Sequence, residues 1–113
     1  MSDGAAPEPI SRAALVAPLA DGSVTLLDVR PDDEFAMGHI PGATQIDLGR
    51  LDAMAATLDP AVEIVAYCRG PYCLYAHQAV ARLRQLGLNA RRIDGGLPEW
   101  RAAGLPVQTE VSG

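Results

Sequence analysis

A four-residue apolar run that stops at a cysteine constrains this chain more than any other feature. Residues 64–67 (IVAY) have the length and composition of a strand buried on both faces. They run directly into Cys68-Arg69-Gly70-Pro71-Tyr72-Cys73, and helical periodicity follows. A strand, a Gly/Pro turn and a helix in that order bring backbone N–H groups together around the turn. Such a turn holds anions and lowers the pKa of a thiol within it, so Cys68 is the candidate nucleophile.

The rest of the chain alternates the same two patterns. Apolar runs predict strands at 24–29 (VTLLDV), 44–46, 63–67 and 90–93. Helical spacing predicts helices within 10–20 (with Ser11 as N-cap) and over 48–58, 74–86 and 97–103, and Arg30-Pro31-Asp32-Asp33 stops the first strand and starts a short helix through Phe35. Gly87 is the natural stop of the helix over 74–86. Strands alternating with helices imply an α/β fold, a parallel sheet covered on both faces.

At 113 residues the chain is long enough for one domain and one core. Residues 1–9 are small, acidic and proline-containing, without the apolar stretch of a signal peptide. They are expected to be a disordered leader or linker before a domain at 10–107, with 108–113 a loose tail. The net charge is -5 and all nine basic residues are arginine, with no basic stripe for nucleic acid. No run approaches the roughly 20 apolar residues that cross a bilayer. Two cysteines do not make a disulfide framework, and the expected setting is the reducing cytoplasm. Cys68, Cys73 and a histidine lack four-ligand metal spacing, so no metal or organic cofactor is expected.

Four segments resemble one family. Leu27-Asp28-Val29-Arg30 with Glu34 and Phe35, then Gly38-His39-Ile40-Pro41-Gly42-Ala43, resemble the amino-terminal signature of rhodanese domains. Cys68-Arg69 after an apolar strand resembles their active-site loop. Asp94-Gly95-Gly96, Trp100 and Ala103-Gly104-Leu105-Pro106-Val107 resemble the carboxy-terminal signature. The wording around CRGPYC is most similar to rhodanese domains fused to arsenic-repressor-type transcriptional regulators, which implies a fused or separate regulator as partner.

The resemblance implies a mostly parallel, five-stranded sheet with helices on both faces. It also implies a sulfurtransferase in which Cys68 takes a sulfane sulfur as a persulfide. Thiosulfate or another small sulfur anion or persulfide would be the donor, and a thiol or cyanide the acceptor. The loop Arg69, Gly70, Pro71, Tyr72, Cys73 and Leu74 would bind the substrate, its amides cradling the anion and Arg69 adding charge. Asp28, Arg30, Glu34 and His39 are expected to form a structural network, because a buried unpaired Asp28 would cost several kcal/mol and Arg30 is its natural partner. His77 is expected at the surface.

The loop departs from the family's usual wording. Gly70 is one place early, Pro71 takes the usual glycine position and Cys73 replaces a second arginine. The stretch from Cys68 to Gly87 is about two residues longer than usual, as judged from the helix stop at its end. A phosphatase on this fold needs a loop-closing arginine, and Cys73, Leu74 and Tyr75 occupy those places. Cys73 is instead a candidate resolving cysteine, which makes a redox or persulfide sensor the alternative function. A third reading is a non-enzymatic interaction domain. Side chains late in a cradle tend to splay outward, so the two cysteines are expected to rest reduced.

Overall fold

The computed structural model describes residues 9–69 and 74–109. Four parallel strands carry the fold among these residues: β1 (Val24–Asp28), β2 (Thr44–Gln45), β3 (Glu63–Tyr67) and β4 (Ala90–Arg92), in the order β2-β1-β3-β4. β3 lies inside, paired with β1 through Leu26↔Val65 and Asp28↔Tyr67 and with β4 through Val65↔Arg91. Its apolar run is the consequence of that position, since both faces of a parallel strand are covered.

Among the described residues five α-helices surround the sheet: α1 (Arg12–Asp21), α2 (Asp32–Met37), α3 (Leu51–Ala55), α4 (Leu74–Gln85) and α5 (Leu97–Ala102). The period-2 alternation of β3 divides the core. Ile64, Ala66 and Cys68 face the α3–α4 side, where Ala76, Val80 and Leu83 are buried. Val65 and Tyr67 face the α1–α5 side, with Leu15, Ile93, Leu97 and Trp100. The stretch expected as one helix at 48–58 divides into a 3₁₀ turn, Leu48–Arg50, and the short α3.

The expected fifth strand is absent among the described residues. Its place beside β4 is held by a single parallel bridge, Ile10↔Ile93. Ile10 receives both ladder bonds, its N–H donating to Arg92 at 2.9 Å and its carbonyl accepting from Asp94 at 2.7 Å. Pro9 before it has no N–H to donate. Ser11 after it already caps α1, accepting from the Ala14 amide at 3.1 Å. The ladder is thus limited to one residue from both sides.

Gln108, assigned by sequence to a loose tail, pairs with His39 in an antiparallel bridge, with bonds of 2.9 and 2.8 Å. The Trp100 indole N–H donates to the Pro106 carbonyl at 2.7 Å and fixes the bend that brings this segment back. No helix among the described residues is long and apolar enough to cross a membrane.

Candidate active site

Cys68 follows the last residue of β3 and is 1 % exposed. It stands at the carboxyl ends of the parallel strands, where open α/β sheets place ligands. Its carbonyl accepts from the Leu97 amide at 3.4 Å, joining the start of α5 to the turn. Cys68 is disulfide-bonded in the structure. The chain's other cysteine, Cys73, lies outside the described residues, as do Gly70, Pro71 and Tyr72. The expectation that Cys68 rests as a thiol is therefore corrected. Two cysteines only five positions apart in sequence pay little chain entropy to join.

Arg69 leaves the core and is half exposed. Its guanidinium meets Glu34 of α2 in a two-point pair, Nε to Oε1 at 2.7 Å and Nη2 to Oε2 at 2.5 Å. It also lies 5.8 Å from the Tyr75 ring centroid. The hydrogen bonds and charge of Glu34 hold Arg69 above its ordinary pKa. Those same bonds outweigh desolvation and hold the Glu34 carboxyl below its own. Leu74, the last of the expected loop residues, is exposed at the first position of α4.

The network behind the turn is buried. Asp28 is 0 % exposed and Arg30 5 %. Arg30 Nη2 donates to Asp28 Oδ2 at 2.6 Å, Nε to Oδ1 at 3.0 Å, and the Arg30 amide to Oδ1 at 2.9 Å. Burial opposes the Arg30 charge, and the bonds and charge of Asp28 more than offset it, leaving its pKa raised. Arg30 Nη2 also donates to the Gly38 carbonyl at 2.6 Å. Tyr67 completes the set: its hydroxyl accepts from the Ile40 amide at 3.0 Å. Burial first, and then the Asp28 charge, push that hydroxyl far above its usual pKa.

The four residues expected to act together thus divide. Asp28 and Arg30 form the buried pair. His39 sits beside it, donating from Nδ1 to the Phe35 carbonyl at 2.8 Å and stacking on the Phe35 ring at 3.7 Å. Glu34 points the other way, to Arg69. His77 is partly buried on α4. Among the described residues no group of three or more His, Cys, Asp or Glu side chains could hold a metal ion.

Sequence reasoning did not find the Glu34–Arg69 pair, the Tyr67 hydroxyl or Arg101. Arg101 lies on α5 and lines, with Arg30 and Arg69, a pocket of about 280 Å³ beside the turn. One signal was available for the first of these. Glu34 and Arg69 each follow shortly after a strand, and neighbouring parallel strands deliver such residues to the same end of the sheet.

The fold and this turn match a known family. The model of the rhodanese-like domain matches residues 11–103. The chain belongs to the rhodanese-like domains. It is 47% identical over 104 residues to an HTH-type transcriptional regulator of Mycobacterium tuberculosis, covering 92% of this chain and 46% of that protein. The chain thus spans about half the length of that relative. It is 35% identical over 88 residues to a sulfurtransferase of Allochromatium vinosum, covering 74% of this chain and 78% of that one. Among solved structures, the BH2092 protein of Bacillus halodurans superposes with a TM-score of 0.83 at 28% identity, covering 90% of this chain and 77% of that one.

Proposed function

We propose that this domain is a sulfurtransferase that carries a sulfane sulfur on Cys68. The observation that carries the reading is the place of Cys68: at the carboxyl end of the inner strand, before α4, in a chain of the rhodanese family. The sulfurtransferase of Allochromatium vinosum is a relative over most of both lengths.

Transfer begins from the thiolate. Two equivalents of a thiol open the Cys68 disulfide by exchange and leave as their own disulfide. The Cys68 thiolate then attacks the outer sulfur of thiosulfate. The sulfur–sulfur bond of the donor breaks and sulfite departs with its electron pair. An acceptor thiolate attacks the outer sulfur of the Cys68 persulfide, which regenerates the Cys68 thiolate and releases a new persulfide. Cyanide in place of the thiol yields thiocyanate. The amides of residues 69–74 cradle the anion in this reading, and Arg69, its charge set by Glu34, stands at the rim. No metal or organic cofactor takes part.

The test is mass spectrometry of the reduced protein after thiosulfate or glutathione persulfide. The expected result is a gain of one sulfur at Cys68, absent in Cys68→Ser together with thiocyanate production. Wild-type thiocyanate rates in Cys68→Ser would refute the proposal.

The disulfide at Cys68 favours a second reading, a redox or persulfide sensor. In it Cys73 attacks the inner sulfur of the Cys68 persulfide, hydrosulfide leaves with the electron pair, and the cysteine–cysteine bond reports the event to a fused or separate regulator. Its support on the partner side is the resemblance to a transcriptional regulator over about half of that protein's length. Sulfuration without steady-state turnover is its expected signature.

A further inference from the structure

Two pockets of different chemistry flank the turn after β3. Val29, Pro31, Leu48 and Tyr75 line one of about 250 Å³, mostly apolar, with Asp47 at its edge. Arg30, Arg69 and Arg101 line the other, of about 280 Å³, together with Leu97 and Pro98. No acidic residue lines it among the described residues. In a chain of net charge -5 this is a local reversal of sign.

The three guanidinium groups are not equivalent. Arg30 has Asp28 and Arg69 has Glu34. Arg101 has no carboxylate partner among the described residues. Its position is nevertheless defined. Arg101 Nη2 lies over the α-carbon of Gly38, where a Cβ would stand 2.2 Å away, and the Gly38 carbonyl accepts from Arg30. Gly38 therefore seats two cations against one short segment, one satisfied and one with its donors open. Asp33 and Glu34 line the adjoining pocket that Arg30 and Arg101 also border, and Glu34 is already engaged by Arg69.

We infer that Arg101 and this pocket form the subsite for the anionic end of the sulfur acceptor, a small thiol bearing a carboxylate. The inference rests on the sulfurtransferase reading above. A planar guanidinium with open donors matches a carboxylate at two points. Leu97 and Pro98 give methylene groups an apolar floor, which thiosulfate, having no carbon, does not need. The Leu97 amide is bonded to the Cys68 carbonyl, so the floor adjoins the main chain of the sulfur-bearing residue, whose side chain faces the α4 side of β3. A thiol anchored there by its carboxylate reaches over the end of β3 to bring its sulfur to the Cys68 persulfide, and transfer proceeds by the exchange already written.

Two measurements test it. Arg101→Ala should raise KM for glutathione about tenfold relative to KM for uncharged dithiothreitol, with thiosulfate as donor. Gly38→Ala keeps the charge but displaces the guanidinium. Its backbone is extended, with φ at 163°, so the effect is steric, and it should raise the same ratio in part. Separately, S-methylglutathione, which bears carboxylates and no thiol, should give saturable NMR shifts in wild type that weaken about tenfold in Arg101→Ala. Equal KM changes for the two acceptors, no saturable shift in wild type, or equal binding by both proteins would overturn the subsite. If wild type turns over neither acceptor, it is the sulfurtransferase reading that fails, and the S-methylglutathione titration still decides the subsite.

Discussion

Glu34 grips the guanidinium of Arg69 at two points across a sequence separation of 35 residues. The pair forms because β1 and β3 are parallel neighbours, so the residues just beyond each arrive together. Its consequence is that the rim cation nearest Cys68 is largely neutralised.

Glu34→Gln should release that charge. KM for thiosulfate should fall severalfold, and the rate should become more sensitive to ionic strength, as expected when an exposed cation steers an anion. Stability should change by less than about 1 kcal/mol, because the pair is exposed. Initial rates across a salt series check this; a KM that rises or stays level would show that Arg69 does not act on the donor.

Asp28→Ala should be severe. It leaves the Arg30 charge buried without its carboxylate. The expected loss is about 3–5 kcal/mol in denaturant unfolding, with activity per folded molecule affected less. A fully stable, inactive variant would move Asp28 from the scaffold to the chemistry.

Tyr67 supplies a pH dependence. Unfolded, it ionises near its ordinary 10.0; folded, burial and Asp28 hold its proton well beyond that. Above pH 10.0 the folded state thus binds more protons than the unfolded one. Stability is fully present below that pH and falls as pH rises through it. Tyr67→Phe should lose this alkaline slope and about 1–3 kcal/mol at neutral pH, since the Ile40 amide is left unsatisfied. Denaturation curves at several alkaline pH values separate the two effects.

The bond at Cys68 predicts that activity depends on prior reduction. Wild type should be inert to thiosulfate until treated with a thiol and should return to a form two hydrogens lighter under peroxide. Cys73→Ser should take up sulfur without pretreatment and never show the lighter form within one chain. Intact-protein mass spectra follow both, and a wild type that is sulfurated without reductant would deny the bond any control over the site.

How much of this was legible depends on the range of the interactions. All four strands lie within the segments predicted from apolar runs, because burial on both faces leaves a continuous mark in sequence. The fifth strand came only from family likeness, and Pro9 and Ser11, read locally, argue against it. Cys68 and Arg69 are adjacent to the strand that presents them, so they could be found. Glu34 and Arg101 could not be placed at the site in this way, because a crossover and a returning helix bring them there, and the role of the Tyr67 hydroxyl was hidden because its partner, the Ile40 amide, lies 27 residues away. The 48–58 stretch keeps helical spacing, yet its first turn is 3₁₀ and α3 is only five residues long.

The borders of the sheet carry a last consequence, a colloidal one. On one side β2 is two residues long; on the other, β4 is closed by the single rung at Ile10, with a proline just before it. Neither side, among the described residues, offers a run of open amides onto which a foreign strand could zip. Copies of the domain can therefore be crowded together, or strung along a longer polypeptide, without their sheets fusing edge to edge.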